Sequence, residues 1–186
     1  RHYIRGGQMI RVLIAGLGNM GLSHALAHHH HPEAKIVGLV NRSGSVAHDD
    51  LSGYPLFTDF YRALAETKPD LVVIATYSDS HADYAVAAMR AGAHVFVEKP
   101  LATNVADARR VVDTAIATGR KLVVGYILRH HPSWMRLIAE ARALGGPYVF
   151  RLNLNQQSSG AAWETHKALM QTTSPIVDCG VHYVDV

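Results

Sequence analysis

Gly16-Leu17-Gly18-Asn19-Met20-Gly21 follows the apolar run Ile10–Ala15 (IRVLIA) and precedes a helix-forming stretch over about Met20–His30. The spacing is G-x-G-x-x-G. Between a strand and a helix near the start of a chain, this spacing points to a dinucleotide-binding turn. The first glycine permits the tight turn, the second leaves the backbone bare for a pyrophosphate, and the third lets helix and strand pack closely. The helix N-terminus then offers unpaired N–H groups and the positive end of its dipole to the phosphates. Gly16, Gly18, Asn19, Met20 and Gly21 are therefore the pyrophosphate-side candidates. The competing reading is a glycine-rich turn with no ligand.

Strand and helix patterns alternate outward from this turn. Ala34–Val40 (AKIVGLV), Asp70–Ala75 (DLVVIA), His94–Val97 and Lys121–Gly125 read as further buried strands. Asp59–Thr67, Ser80–Ala91, Asn104–Thr118 and Pro132–Leu144 read as helices, with Asn104 or Thr103 as an N-cap and Gly119 at a C-terminal stop. Residues 41–57 read as loop with at most a short helix. Helices between buried strands require crossovers, so the sheet is expected to be parallel and doubly wound, a Rossmann α/β domain. After Pro147 the pattern changes. Tyr148–Asn155 (YVFRLNLN) alternates polar and apolar residues and predicts the first strand of an antiparallel sheet. Residues 156–173 are polar and irregular, and Pro175–Val186 begins a helix. The expected organisation is a dinucleotide-binding domain over 9–130 and the start of an α+β domain over 131–186.

The 186 residues are 48 % hydrophobic, which suits a packed globular chain. A formal charge of +3 gives little reason to expect a nucleic-acid partner. No apolar run reaches the roughly 18 residues of a membrane span. The opening RHYIRGGQ lacks an apolar signal core, and Met9, just before the first strand, reads as the natural start. The lone cysteine, Cys179, cannot close an internal disulfide and suits a reducing cytoplasm. Four histidines are consecutive at His28–His31. Successive helical residues point in different directions, so they cannot all hold one metal, and histidines at a helix end suit its negative dipole. No well-spaced ligand set appears elsewhere, and no metal is expected.

An acidic residue at the end of the second strand would bond the adenosine ribose and repel a 2′-phosphate. Asn41-Arg42-Ser43 stands there, with no carboxylate until Asp49. Arg42 can grip a 2′-phosphate through paired donors and Ser43 can add a hydroxyl, so NADP is preferred over NAD. The alternative is that Arg42 is a solvated loop cation.

Beyond this turn, AGAHVFVEKPLA (91–102) resembles the Gfo/Idh/MocA oxidoreductase family. IATYSDSHADYAVAAMRAG (74–92), VVGYILRHHP (123–132) and Asp178-Cys179-Gly180-Val181-His182 resemble its other segments in the same order. Tyr77-Ser78 departs from the Pro-Asn that the family often carries in that loop. The resemblance implies a nicotinamide-dependent oxidoreductase acting on a sugar, cyclitol or related polyol. It implies Lys99 and His182 as proton-handling groups and Asp178 as a substrate or orienting group. Thr76, His81, Glu98 and Lys99 become cofactor-side candidates, and Pro100 a cis proline. Glu98 is expected to stabilise the turn at Pro100.

The residue chemistry agrees with those roles. Oxidising a secondary alcohol removes a hydride from carbon and a proton from oxygen. Lysine and histidine can both accept that proton. Asp178 and His182 are four apart and would share one helix face. Each also has an ordinary reading: Lys99 as a strand-end cation, Asp178 and His182 as a cap and a surface histidine, His81 as a cap. Arg129 is either a substrate-side cation or structural, and Trp163 and His166 lie in a stretch that could line a pocket. Family members continue into a large antiparallel sheet, so the chain reads as part of such a protein, homo-oligomeric when that sheet is present. The reading from a different class is a non-catalytic nucleotide-binding or scaffolding protein.

Overall fold

The structure is a computed structural model describing residues 9–153, 155, 159–160, 163–164, 167, 170–171 and 173–186. It packs as two units, one ending at Gly125 and the other running from Tyr126.

The first unit is a six-stranded sheet formed by β1 (Ile10–Ala15), β2 (Ala34–Val40), β3 (Leu56–Phe57), β4 (Leu71–Ile74), β5 (His94–Val97) and β6 (Leu122–Val124). Every pairing is parallel, and the spatial order is β3-β2-β1-β4-β5-β6. This is the Rossmann order, with its reversal of direction between β1 and β4. Helices α1 (Asn19–His29), α2 (Phe60–Thr67), α3 (Ser78–Arg90) and α4 (Val105–Thr118) make the crossovers.

The period of two along a strand sends alternate side chains to opposite layers. Leu13 and Ala15 of β1 join Phe60, Ala85, Met89, Val95 and Val111 in one core, while Val12 and Ile14 join Ala25, Ile36, Leu39 and Leu51 in the other. All four of these β1 residues are fully buried, which is why the strand reads as an unbroken apolar run. In β2 the register slips by one at Val37, because Val12 pairs with Ile36 and Leu13 with Gly38. The bulge returns Leu39 to the face of Ile36.

Caps set the helix starts. Asp59 Oδ1 accepts from the N–H of Arg62 at 2.6 Å, and Asn104 Oδ1 accepts from the N–H of Asp107 at 2.8 Å. Asn104 is thus the N-cap of α4, while α3 opens two residues before the expected Ser80. β3 was hidden in the residues read as loop. Two residues carry no periodicity, and the strand exists through pairing with Leu39 and Val40.

The second unit holds a 3-10 turn (Ile127–His130), α5 (Pro132–Leu144), a π-helical turn (Ile176–Gly180) and a short helix (Val181–Asp185). Among its described residues only Thr173 is buried. The expected strand at Tyr148–Asn155 is not formed by the described residues of that stretch. Tyr148, Phe150 and Leu152 are 56 %, 58 % and 42 % exposed, so the alternating pattern buries no face. A strand is stabilised by a ladder, and no neighbouring strand pairs with it among the described residues. Trp163 lies in a helical stretch, while Leu154 and His166 lie outside the described residues. No described helix is long and apolar enough to cross a membrane.

Candidate functional site

The glycine turn joins β1 to α1 where the sheet order reverses. Gly16 has φ +93°, and a Cβ there would stand 2.5 Å from the Ala75 carbonyl oxygen at the end of β4. A Cβ on Gly21 would stand 2.0 Å from the Gly16 carbonyl oxygen. These two glycines therefore let α1 settle onto the strand ends. Gly18 differs: a Cβ there meets nothing within 4 Å. Its backbone faces open space at the first turn of α1, which has no acidic residue. Asn19 begins that turn and Met20 beside it is exposed.

A cleft of about 310 Å³ opens at this point, lined among others by Gly16, Gly18, Asn41, Arg42, Thr76 and Tyr77. The loop after β2 is held in place by its own bonds. The Asn41 N–H donates to the Phe57 carbonyl at 2.9 Å, and Asn41 Nδ2 donates to Ser43 Oγ at 2.9 Å and to the Ser45 carbonyl at 2.7 Å. Ser43 braces the loop, and Arg42 reaches the cleft with its guanidinium 5.6 Å from the Tyr77 ring centre. Asp79 and Tyr84 also line the cleft. Neither was singled out in the sequence, because only the fold of α3 brings its first turns to the strand ends. Tyr84 stacks on Phe60 at 3.9 Å, and burial is the main cause of its raised phenol pKa.

Thr76 and His81 organise the loop after β4. Thr76 Oγ1 and Ser80 Oγ are 2.7 Å apart. His81 is buried, with Nδ1 2.7 Å from the Pro100 carbonyl and Nε2 3.1 Å from the Thr76 carbonyl. Both ring nitrogens thus face backbone carbonyls, and the ring links the β4–α3 loop to the turn after β5. The Lys99–Pro100 peptide bond in that turn is cis.

Glu98 directly follows β5 and is 7 % exposed. Its Oε1 is 2.7 Å from Nε2 of His24 on α1, and its Oε2 accepts from the Lys99 N–H at 3.3 Å. Burial pushes its carboxyl pKa up, but the bond and charge of His24, the Lys99 N–H and the Lys99 ammonium outweigh it and hold the value below the ordinary 4.5. His24 went unnoticed in the sequence, although it lies three residues beyond Gly21 on the helix the turn opens. Lys99 itself is half-buried.

In the second unit, Asp178 and His182 fall on the π-helical turn and the helix that follows it, both half-buried. The Asp178 N–H donates to the Ser174 carbonyl at 2.9 Å, and the Cys179 thiol donates to Asp178 Oδ2 at 3.5 Å. The Tyr126 ring lies edge-on to His182 with centroids 6.4 Å apart. Arg129 grips Asp185 through Nε and Nη2, each at 2.6 Å, which supplies the structural role left open by its position. Lys99 is carried by the first unit, Asp178 and His182 by the second.

The histidine run has separate partners. His28 Nδ1 lies 2.8 Å from the His24 carbonyl, and His29 Nδ1 lies 2.8 Å from the Tyr54 hydroxyl. Ligand atoms of His29, His30 and Asp50 fall within 4.8 Å of one another, a grouping invisible in chain spacing because Asp50 comes from the β2–β3 connection.

Residues 10–126 match the oxidoreductase family described as having an NAD-binding Rossmann fold. The 4-carboxy-2-hydroxymuconate-6-semialdehyde dehydrogenase of a Sphingobium species is 31 % identical over 169 residues, covering 84 % of this chain and 54 % of its own length. An inositol 2-dehydrogenase of Rubrobacter xylanophilus is 33 % identical over 152 residues, covering 77 % of this chain and 43 % of its own. The solved structure of GenD2 from gentamicin A biosynthesis, in complex with NAD, is 30 % identical with a TM-score of 0.66, over 76 % of this chain and 42 % of that one. The chain thus spans about half the length of the curated relatives it matches. With the glycine turn at the strand-order reversal and the family match over 10–126, the chain belongs to the Gfo/Idh/MocA oxidoreductase family.

Proposed function

We propose that this chain carries the cofactor-binding part and the start of the substrate domain of a nicotinamide-dependent oxidoreductase. Its substrate class is a polyol, cyclitol or sugar, oxidised at a secondary alcohol to a ketone or reduced in the reverse direction. The observation that carries this reading is the cleft at the β1–β4 reversal, where the open backbone of Gly18 meets the first turn of α1. The nicotinamide, when bound, supplies the hydride acceptor. The backbone N–H groups from Leu17 to Gly21 would hold the pyrophosphate, while that of Gly16 donates to the Val40 carbonyl at 2.9 Å. Lys99 would accept the one hydroxyl proton, directly or relayed by His182, and Asp178 would orient the hydroxyl or the imidazole. Thr76 and His81 serve by shaping the loop beside the cofactor.

The finer choice of NADP rests on Arg42, an exposed guanidinium at the cleft in a loop whose residues carry no carboxylate before Asp49. Titrating NADPH and NADH into the protein and into Arg42→Ala tests both levels. NADPH is expected to bind more tightly, and the substitution to weaken it by about tenfold while sparing NADH. Tighter binding of NADH overturns the NADP preference. Saturable binding of neither overturns the oxidoreductase reading, and binding without turnover of any polyol favours a nucleotide-binding scaffold.

A further inference from the structure

The Glu98 carboxylate is used on both oxygens and from two directions. His24 reaches Oε1 from α1, the helix opened by the glycine turn, at 2.7 Å. The backbone N–H of Lys99 reaches Oε2 at 3.3 Å. The end of β6 closes over the same group: a Cβ on Gly125 would stand 3.0 Å from Oε2 and 3.2 Å from Cδ. The His24 ring is itself seated on Phe96 of β5, with centroids 4.8 Å apart. A carboxylate this buried is costly unless its oxygens are bonded, so its rotamer is dictated by these partners. Moving α1 would pull on the residue that follows Glu98, which is Lys99.

We propose that His24 is a positioning residue: acting through Glu98, it fixes the backbone of Lys99 relative to the cofactor-binding helix. The inference rests on the reading of Lys99 as a proton-handling group. Without His24 the carboxylate can turn away, its bond to the Lys99 N–H is lost, and the backbone that carries the ammonium loses that anchor. Misplacing a reacting group by about 1 Å can cost on the order of a hundredfold in rate.

Two readouts on the full chain test this. The first is the amide signal of Lys99 in a 15N–1H correlation spectrum, which needs no turnover. The second is kcat and KM for a polyol with its nicotinamide cofactor. In His24→Ala the Lys99 amide should move, and kcat should fall about tenfold or more with cofactor KM nearly unchanged. His24→Gln, whose amide N–H can reach the same carboxylate, should recover much of both. An unmoved Lys99 amide in His24→Ala overturns the positioning role whatever the rate. A kcat loss that His24→Gln leaves unrepaired, or a loss confined to cofactor KM, overturns it as well. Parental kcat in Lys99→Ala overturns the underlying proton-transfer reading instead, and leaves the amide result standing.

Discussion

Glu98 is a buried carboxylate kept ionised by its neighbours, and its burial makes their contribution pH-dependent. Its folded pKa lies below the ordinary 4.5 because His24 and Lys99 outweigh desolvation. A depressed folded value means the stabilisation is fully present above the unfolded value and fades as pH falls through the folded one. At neutral pH, Glu98→Gln should therefore cost about 1.5–3 kcal/mol, the scale of a bond to a charged group. That cost should shrink toward zero as urea titrations are carried from roughly pH 6 to pH 3. A difference independent of pH would show that the lost interaction is not ionic. At this scale the sequence was legible in part. Lys99 and Glu98 stood out through the resemblance, whereas His24 shows its role only when α1 is laid across the end of β5. Arg129 was ambiguous for the same reason, since its partner Asp185 is 56 positions away.

The strand–turn–helix element separates two functions that G-x-G-x-x-G combines in one pattern. A Cβ on Gly16 or Gly21 would stand 2.5 Å or 2.0 Å from a backbone carbonyl oxygen, so a methyl there must displace the turn and α1 from the strand ends. Gly21→Ala is expected to destabilise the fold by several kcal/mol, the range of overpacked and strained positions, and to lose cofactor binding with it. Gly18→Ala meets open space. It should change thermal stability by less than about 1 kcal/mol while weakening nucleotide binding markedly, as read by melting curves and fluorescence titration on the same samples. Equal loss of stability in both variants would contradict this division. β1, β4 and β5 were readable as elements because burial on both faces writes an apolar run into the chain. The two-residue β3 was not, since it leaves no periodic signature, and the helix expected from Pro175 was readable without the π-helical form of its first turn, Ile176–Gly180. Tyr148–Asn155 is the converse case, a strand-like pattern with no pairing among its described residues.

On the scale of the whole molecule, the cleft belongs to the first unit, and Asp178 and His182 belong to the second. Binding and chemistry should accordingly separate. Asp178→Ala and His182→Ala are expected to keep the parental nucleotide affinity, while polyol turnover falls at least about a hundredfold. Loss of nucleotide affinity in either variant, measured by titration, would place these residues in the cofactor site instead. The Rossmann class, the position of the glycine turn and the Glu98-Lys99-Pro100 segment were accessible from residue order alone. Each is written locally, in a strand's apolar run, in glycines at fixed offsets and in a short contiguous motif. The Glu98–His24 pair, the partnership of Arg129 with Asp185 and the contribution of Asp79 and Tyr84 to the cleft wall were not accessible in that way. They join groups far apart in the chain: the parallel sheet brings the strand ends and helix starts of the first unit together, and packing within the second unit brings Asp185 to Arg129.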